Sequence, residues 1–288
     1  MTTTAWFNPF SGVAGDMALG ACIDAGAELD DVIAVLDGLR LPGWGLTAEP
    51  VLRGGIAATY VRVHAEETPV TRTAEHIHRL IADADLPDRV RDRAQATVTA
   101  LAAAEGRLHR RPPSQVHFHE VGGIDAIIDV VGTCAALELL DVDTVVCAPV
   151  ATGVGMTRSQ HGVIPIPAPA VVELLRGRPV RHVDVPHELT TPTGAALMVA
   201  VADRWGALPA MTIDSSGYGA GTRDLDGRVN AVQLVVGTAA ALRIADDDGH
   251  PMVEVAVNVD DATGETLAHA VSAMLATGAA DAWVAPVL

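Results

Sequence analysis

Gln115 to Gly132 reads QVHFHEVGGIDAIIDVVG. Val116 to His119 alternates apolar and polar residues, the pattern of a short strand. Period 2 puts His117 and His119 on one face of that strand. Glu120 follows at the strand end, and Gly122 and Gly123 break the alternation. An apolar run with helical spacing then begins and predicts a helix to about Leu140. Asp125 and Asp129 are four apart, so both carboxylates share one helix face near its N-terminal end. Two imidazoles and up to three carboxylates therefore converge at a strand-to-helix turn. Imidazole suits nickel, zinc and copper, and carboxylate completes the charge, so the set fits a metal or catalytic site. The competing reading is structural: the histidines are satisfied in the core or at an edge, and the aspartates cap and solvate a helix.

Upstream, Thr4 to Asn8 predicts a short buried strand. It runs into PFSGVAGDM at Pro9 to Met17, then an apolar helix from Ala18 to Ala25. A strand, a glycine-containing turn and a helix start offer backbone N–H groups to an anion, with Ser11 and Asp16 as the polar side chains. An ordinary capped helix start would look the same. A helix from Leu29 to Leu39 follows, then a hairpin of Gly45 to Arg53 and Ile56 to Ala65 joined at Gly54-Gly55. Thr71 to Ala82 and Pro87 to His109 carry helical periodicity, and the second delivers His109 just before the central motif as a third imidazole candidate.

Downstream, Thr144 to Val150 predicts a β-branched strand. Ala151 to His161 reads as a loop, and the segment after it is too proline-rich for a central strand. It predicts an extended approach to a helix over Ala168 to Leu175, with His161 free either to reach a site or to lie on the surface. Thr190-Thr191-Pro192-Thr193-Gly194 opens another helix with a cap and hydroxyls beside free N–H groups. Ser216 to Asp224 reads as a glycine-rich loop after a strand, with Arg223 as its cation. Val229 to Val236 predicts a strand.

Composition bounds the chemistry. The 288 residues are 49% hydrophobic but only 3% aromatic, so the core must be built of Ala, Val and Leu. The formal net charge of −17 argues against a nucleic-acid backbone or an anionic membrane as partner. There is no lysine, which removes a Schiff-base lysine and a Walker A lysine; phosphate must be held by Arg, backbone N–H or a metal. Cys22, Cys134 and Cys147 are scattered and form no disulfide framework or zinc knot. The N-terminus has no basic region with a long apolar stretch, and no run reaches a membrane span, so a soluble cytoplasmic protein is expected.

Taken together, six motifs in order resemble the LarC-type nickel insertion proteins, which mature the nickel-pincer cofactor of lactate racemase. They are PFSGVAGDM at Pro9 to Met17, VHFHEVGGIDAIIDVVG at Val116 to Gly132, HGVIPIPAPAVVELL at His161 to Leu175, ELTTPTGAAL at Glu188 to Leu197, GYGAGTRD at Gly217 to Asp224 and NVDDATGE at Asn258 to Glu265. The resemblance implies a cyclometallase that places Ni(II) into pyridinium-3,5-bisthiocarboxylic acid mononucleotide, consuming CTP with Mg or Mn. Nickel must be held by exchangeable N and O ligands if substrate sulfurs are to take it. His117, His119, His109 and His161 are the expected nickel ligands, and Glu120, Asp125 and Asp129 the candidate acceptors of the ring proton. Phosphate is expected at Ser11, Gly12, Gly15 and Asp16, at Thr191, Thr193 and Gly194, and at Gly219, Gly221 and Arg223. The expected partners are the precursor, a lactate racemase-type acceptor enzyme and further copies of the chain in a homo-oligomer, with no nucleic acid and no membrane.

There are departures from the family pattern. Asn8 stands where an Asp is usual, and VNAVQLVV lacks the Leu-Arg that the family tends to show. The family's second domain also continues past Leu288 with a lysine-containing segment associated with nucleotide handling. The expected architecture is an α/β nickel-insertion domain over residues 1–240, a linker over 241–251 and the first half of a ferredoxin-like α+β domain over 252–288. Its last part is a βαβ unit of Val253 to Val259, Glu265 to Ala276 and Ala282 to Val287. Two other functions use the same cluster: a non-catalytic nickel carrier or storage protein, and a metal-dependent hydrolase.

Overall fold

β1 (Thr3–Asn8) buries Thr4, Ala5 and Phe7 and lies in the interior of a seven-stranded sheet. On one side it pairs antiparallel with β11 (Ala231–Ala239), and on the other parallel with β4 (Thr144–Cys147). Next to β11 runs β10 (Met211–Ala220), antiparallel to it. β3 (Ile56–Ala65) joins β10 in parallel through the pair Gly219 and Thr59, and β2 (Trp44–Arg53) closes that edge antiparallel to β3. β9 (Arg204–Trp205) closes the other edge beside β4. The β2–β3 hairpin turns at Gly54 and Gly55, both with positive φ, as a two-residue turn of this hand requires.

The computed structural model describes residues 2–65, 72–116, 118, 122–239, 257, 259 and 261–284. The chain divides into two compact units, Met1–Leu242 and Arg243–Leu288. In the first, the sheet is accompanied by α1 (Gly15–Asp24), α2 (Leu29–Asp37), α3 (Ala74–Ala82), α4 (Asp88–His109), α5 (Ile124–Leu139), α6 (Pro169–Leu174) and α7 (Pro192–Val201). α5 is buried over most of its circumference, from Ala126 to Leu137, because nearly every residue in it is apolar. α1 lies against β10 so closely that a Cβ on Gly219 would stand 1.7 Å from the Met17 carbonyl oxygen. In the second unit, α8 (Gly264–Ala276) starts at Thr263, whose side chain accepts from the Thr266 N–H. Val257, Val259 and Ala282 to Val284 belong to no strand, and the rest of the strands expected around α8 lies outside the described residues.

In the first unit, too, the structure departs from the sequence reading. Val116 and Phe118 are buried, as their alternation predicts, but neither is in a strand. Their backbone neighbours are Arg72 and Ala74 at the start of α3: Phe118 N–H donates to Arg72 O at 3.2 Å and Ala74 N–H to Val116 O at 3.1 Å. His117, His119 and Glu120 lie outside the described residues. Ser216 to Ala220 is the end of β10, not a loop; Gly217 and Gly219 are there because α1 leaves no space for a side chain. The segment expected as loop and extended chain after Ala151 forms a separate ribbon, β6 (Gly155–Ser159) with β7 (Gly162–Ile166), which tolerates Pro165 because it has only two strands. β5 (Val150–Thr152) and β8 (Val180–His182) make a small parallel pair of their own.

Candidate functional site

Three helices of the first unit begin at one cavity of about 490 Å³. Its lining includes Gly15 and Asp16 from the first turn of α1, Asp125 and Ala126 from that of α5, and Pro192 and Thr193 from that of α7. Each helix start carries a partial positive charge at its first turn, so carboxylates and anions are both favoured there. The α1 and α7 starts are tied together. Val13 N–H donates to Thr190 Oγ1 at 3.2 Å, Thr191 N–H donates to Val13 O at 3.0 Å, and Thr191 Oγ1 caps α7 by accepting from Gly194 N–H at 3.2 Å.

Asp16, Asp125 and Asp129 give the cavity its acidic wall. Burial raises the Asp16 carboxyl to about 6 against the hydrogen bond donated by Met17 N–H at 2.8 Å, and the nearby Asp125 charge adds to the rise. Burial also holds Asp129 well above the usual carboxylate range, reinforced by the charges of Asp16 and Asp125. Asp129 lines the cavity, yet its Oδ1 is sealed from water with no hydrogen-bond partner. The Asp16 carboxyl, at about 6, sits close enough to neutrality to exchange a proton readily.

The rest of the lining is polar and basic. Tyr60 and Arg62 come from one face of β3, Gly221, Thr222 and Arg223 from the turn after β10, and Glu188 and Asn230 from loops. The Arg62 guanidinium lies 5.6 Å from the centre of the Tyr60 ring. Of the residues expected to hold phosphate, Gly15, Asp16, Thr191, Thr193, Gly221 and Arg223 line this cavity, together with the proton-acceptor candidates Asp125 and Asp129. Ser11, Gly12, Gly194 and Gly219 pack behind it. Ser11 is fully buried and donates to Val229 O at 2.6 Å. A Cβ on Gly12 would meet Leu189 O at 2.0 Å and one on Gly194 would meet Val13 O at 2.2 Å, so both glycines are fixed by close backbone approach.

His109 and His161 line a second cavity of about 200 Å³, on whose rim Pro192 also lies. Their ring centres are 5.0 Å apart, and His109 Nε2 is 3.2 Å from Glu105 Oε2. Among the described residues, no group of three or more His, Cys, Asp and Glu stands ready to hold a metal ion. Sequence reasoning did not single out Tyr60, Arg62, Glu188 or Asn230. The only local sign was that Tyr60 and Arg62 share a strand face by period 2; what they face depends on pairing with β10, far along the chain. No helix among the described residues is long and apolar enough to cross a membrane.

A family model described as nickel insertion protein matches residues 5–288. The pyridinium-3,5-bisthiocarboxylic acid mononucleotide nickel insertion protein of a Nocardioides species is 42% identical over 286 residues, covering 99% of this chain and 71% of the relative. A putative nickel insertion protein of Roseiflexus castenholzii is 40% identical over 290 residues, covering 100% of this chain and 72% of its own length. One from Myxococcus xanthus is 42% identical over 291 residues, covering 100% and 73%. No solved structure matches the chain.

Proposed function

This chain belongs to the nickel insertion protein family, and from that premise we propose that it inserts Ni(II) into pyridinium-3,5-bisthiocarboxylic acid mononucleotide, the molecule named for the Nocardioides relative. Nickel and the mononucleotide are both substrates. The observation that carries the proposal is the acidic wall of the large cavity, with Asp16 raised to about 6. Insertion replaces a ring C–H bond by a C–Ni bond. The electron pair of the C–H bond becomes that of the C–Ni bond, the sulfurs donate lone pairs to nickel, and the proton needs an acceptor. We assign that role to Asp16 rather than to Glu120, Asp125 or Asp129. A carboxylate titrating near 6 is ionised at neutral pH and is more basic than an ordinary one. Asp125 adds negative charge that favours both the approaching dication and the cationic ring.

Nickel reaches the cavity through imidazoles in this reading. His109 and His161 are paired at the neighbouring cavity, and His117 and His119 belong to the same proposed set. Imidazole and carboxylate release nickel to substrate sulfur more readily than thiolates do, and all three cysteines are buried. A cavity of about 490 Å³ suits one mononucleotide. The cavity of about 200 Å³ is lined by no arginine and does not fit a triphosphate. CTP with Mg or Mn, the lactate racemase-type acceptor and the homo-oligomer are what the family resemblance implies.

The test is mass spectrometry of the mononucleotide after incubation with the chain, Ni(II) and a magnesium salt, with and without CTP. Nickel-bearing product is expected. Nickel retained on the protein with the mononucleotide unchanged under both conditions would sink the insertion reading and favour a carrier. Cleavage of an ester or amide substrate in its place would favour a hydrolase.

A further inference from the structure

The large cavity has a basic wall that the acidic one does not neutralise. β3 and β10 run parallel where Thr59 pairs with Gly219. Arg62 is three residues beyond Thr59 and Arg223 four beyond Gly219, so the parallel pairing carries both side chains toward the same end of the sheet, and both line the cavity. Among the described residues, no carboxylate lies within ion-pair distance of either guanidinium, whereas Arg53, Arg79, Arg89, Arg91, Arg107 and Arg176 all have one. Nor does any arginine pull Asp16 or Asp129 back down, so the two sets of charge stay apart within one space.

The basic wall is also built to stay in place. Arg53 Nε–H donates to Gly221 O at 2.8 Å and its guanidinium pairs with Asp224 at 3.8 Å. Asn230 Nδ2–H donates to Arg223 O at 2.8 Å, and Gly221 N–H donates to Asn230 O at 2.9 Å. The turn holding Arg223 is thus tied on both flanks, and Arg62 rests on the Tyr60 face. In a chain without lysine, guanidinium is the only permanent side-chain cation available, and it is the one whose donor fork matches a phosphate.

We propose that Arg62 and Arg223 form the receptor for a phosphate monoester, and that the mononucleotide lies across the cavity with its phosphate on these arginines and its cationic ring at Asp16, Asp125 and Asp129. This rests on the insertion reading above and gives the substrate a direction. The acidic pole meets the cationic ring and the incoming dication; the basic pole meets the dianion. A ligand carrying only one of these charges satisfies half the cavity.

Binding is measured by titration calorimetry without nickel, using the mononucleotide and the same nucleoside lacking its phosphate. The proteins are the wild type, Arg62→Gln, Arg223→Gln and the double variant. Each single change is expected to weaken the mononucleotide about tenfold and the pair about a hundredfold, at the strength of charge-assisted hydrogen bonds. The nucleoside is expected to bind all four proteins alike. A variant carrying Arg62→Lys and Arg223→Lys is expected to recover part of the loss, since charge returns without the fork. Equal binding of the mononucleotide to wild type and double variant, or an equal loss for the nucleoside, overturns the proposal while the insertion reading stands. A wild type that binds neither compound overturns both.

Discussion

A Cβ added to Gly15 would stand 2.6 Å from Asp129 Oδ2. The first residue of α1 and an acidic residue of α5 therefore meet with no space for a methyl group. Asp129 is held against the backbone of α1 as the cost of bringing it beside Asp16. Gly15→Ala is expected to push Asp129 out of place and destabilise the fold by about 1–3 kcal/mol, the usual range for overpacking. Nickel insertion should fall more than stability does. Urea unfolding run beside the insertion assay separates the two, and an Ala variant with normal turnover would show that the close approach has no role in the chemistry.

Asp16 makes stability depend on pH with a definite sign. Its carboxyl rises from an ordinary 3.8 to about 6 in the folded chain. The stability it contributes is complete below the lower value and is lost as pH passes through the upper one. Asp16→Asn keeps an acceptor for Met17 N–H and removes the charge. It is expected to raise stability at pH 7 by roughly 2–3 kcal/mol and to flatten the fall between about pH 4 and pH 7. Denaturant midpoints across that range measure the effect; a variant with the slope of the wild type removes Asp16 as its source.

The same side chain should govern the rate. If Asp16 takes the ring proton, kcat/KM for insertion declines as pH drops below about 6. Asp16→Asn should lower it by about 10²–10⁴-fold and abolish that limb of the profile. Retention of the limb in the variant would pass the role to another group of the acidic wall.

His109 and His161 have ring centres 5.0 Å apart beside Glu105. Replacing both with Ala is expected to weaken nickel binding at least about tenfold while leaving the thermal midpoint within a few degrees, since both are near the surface. Calorimetric nickel titration checks it, and unchanged affinity would leave the pair as a packing contact on the rim of its cavity.

Much of the chain's local structure was legible because it is written in local pattern. Thr4 to Asn8, the hairpin closing at Gly54-Gly55 and the long run to His109 each carry their own period and their own turn signals. The Asp125 and Asp129 spacing likewise predicts a shared helix face, and both residues line one cavity. What was not legible depends on distant partners. Gly217 and Gly219 read as loop glycines, because nothing near them in sequence announces that α1 passes overhead. Pro165 argued against a central strand and gave no sign of a two-stranded ribbon. Arg62 on a hairpin strand looks like a solvated face until β10 is laid beside it. Asp16 was read as part of an anion-binding turn; its raised pKa comes from burial and Asp125, which only the fold supplies.

The position of β1 sets an order of events during synthesis. Thr3 pairs with Thr238, so the first strand made waits for the last strand of its sheet. Until β11 has emerged, β1 has only β4 beside it and keeps one unpaired edge. Closing so long a loop is slow, and the pairing must come after most of the local helices have formed. The cavity inherits that delay, because Asp16 follows β1 while Arg62 and Arg223 depend on β10, which is held through β11. Neither substrate can find its complete binding surface on a nascent chain. A ribosome stalled before residue 231 would present the two parts of the sheet, β2-β3-β10 and β1-β4-β9, without the strand that joins them.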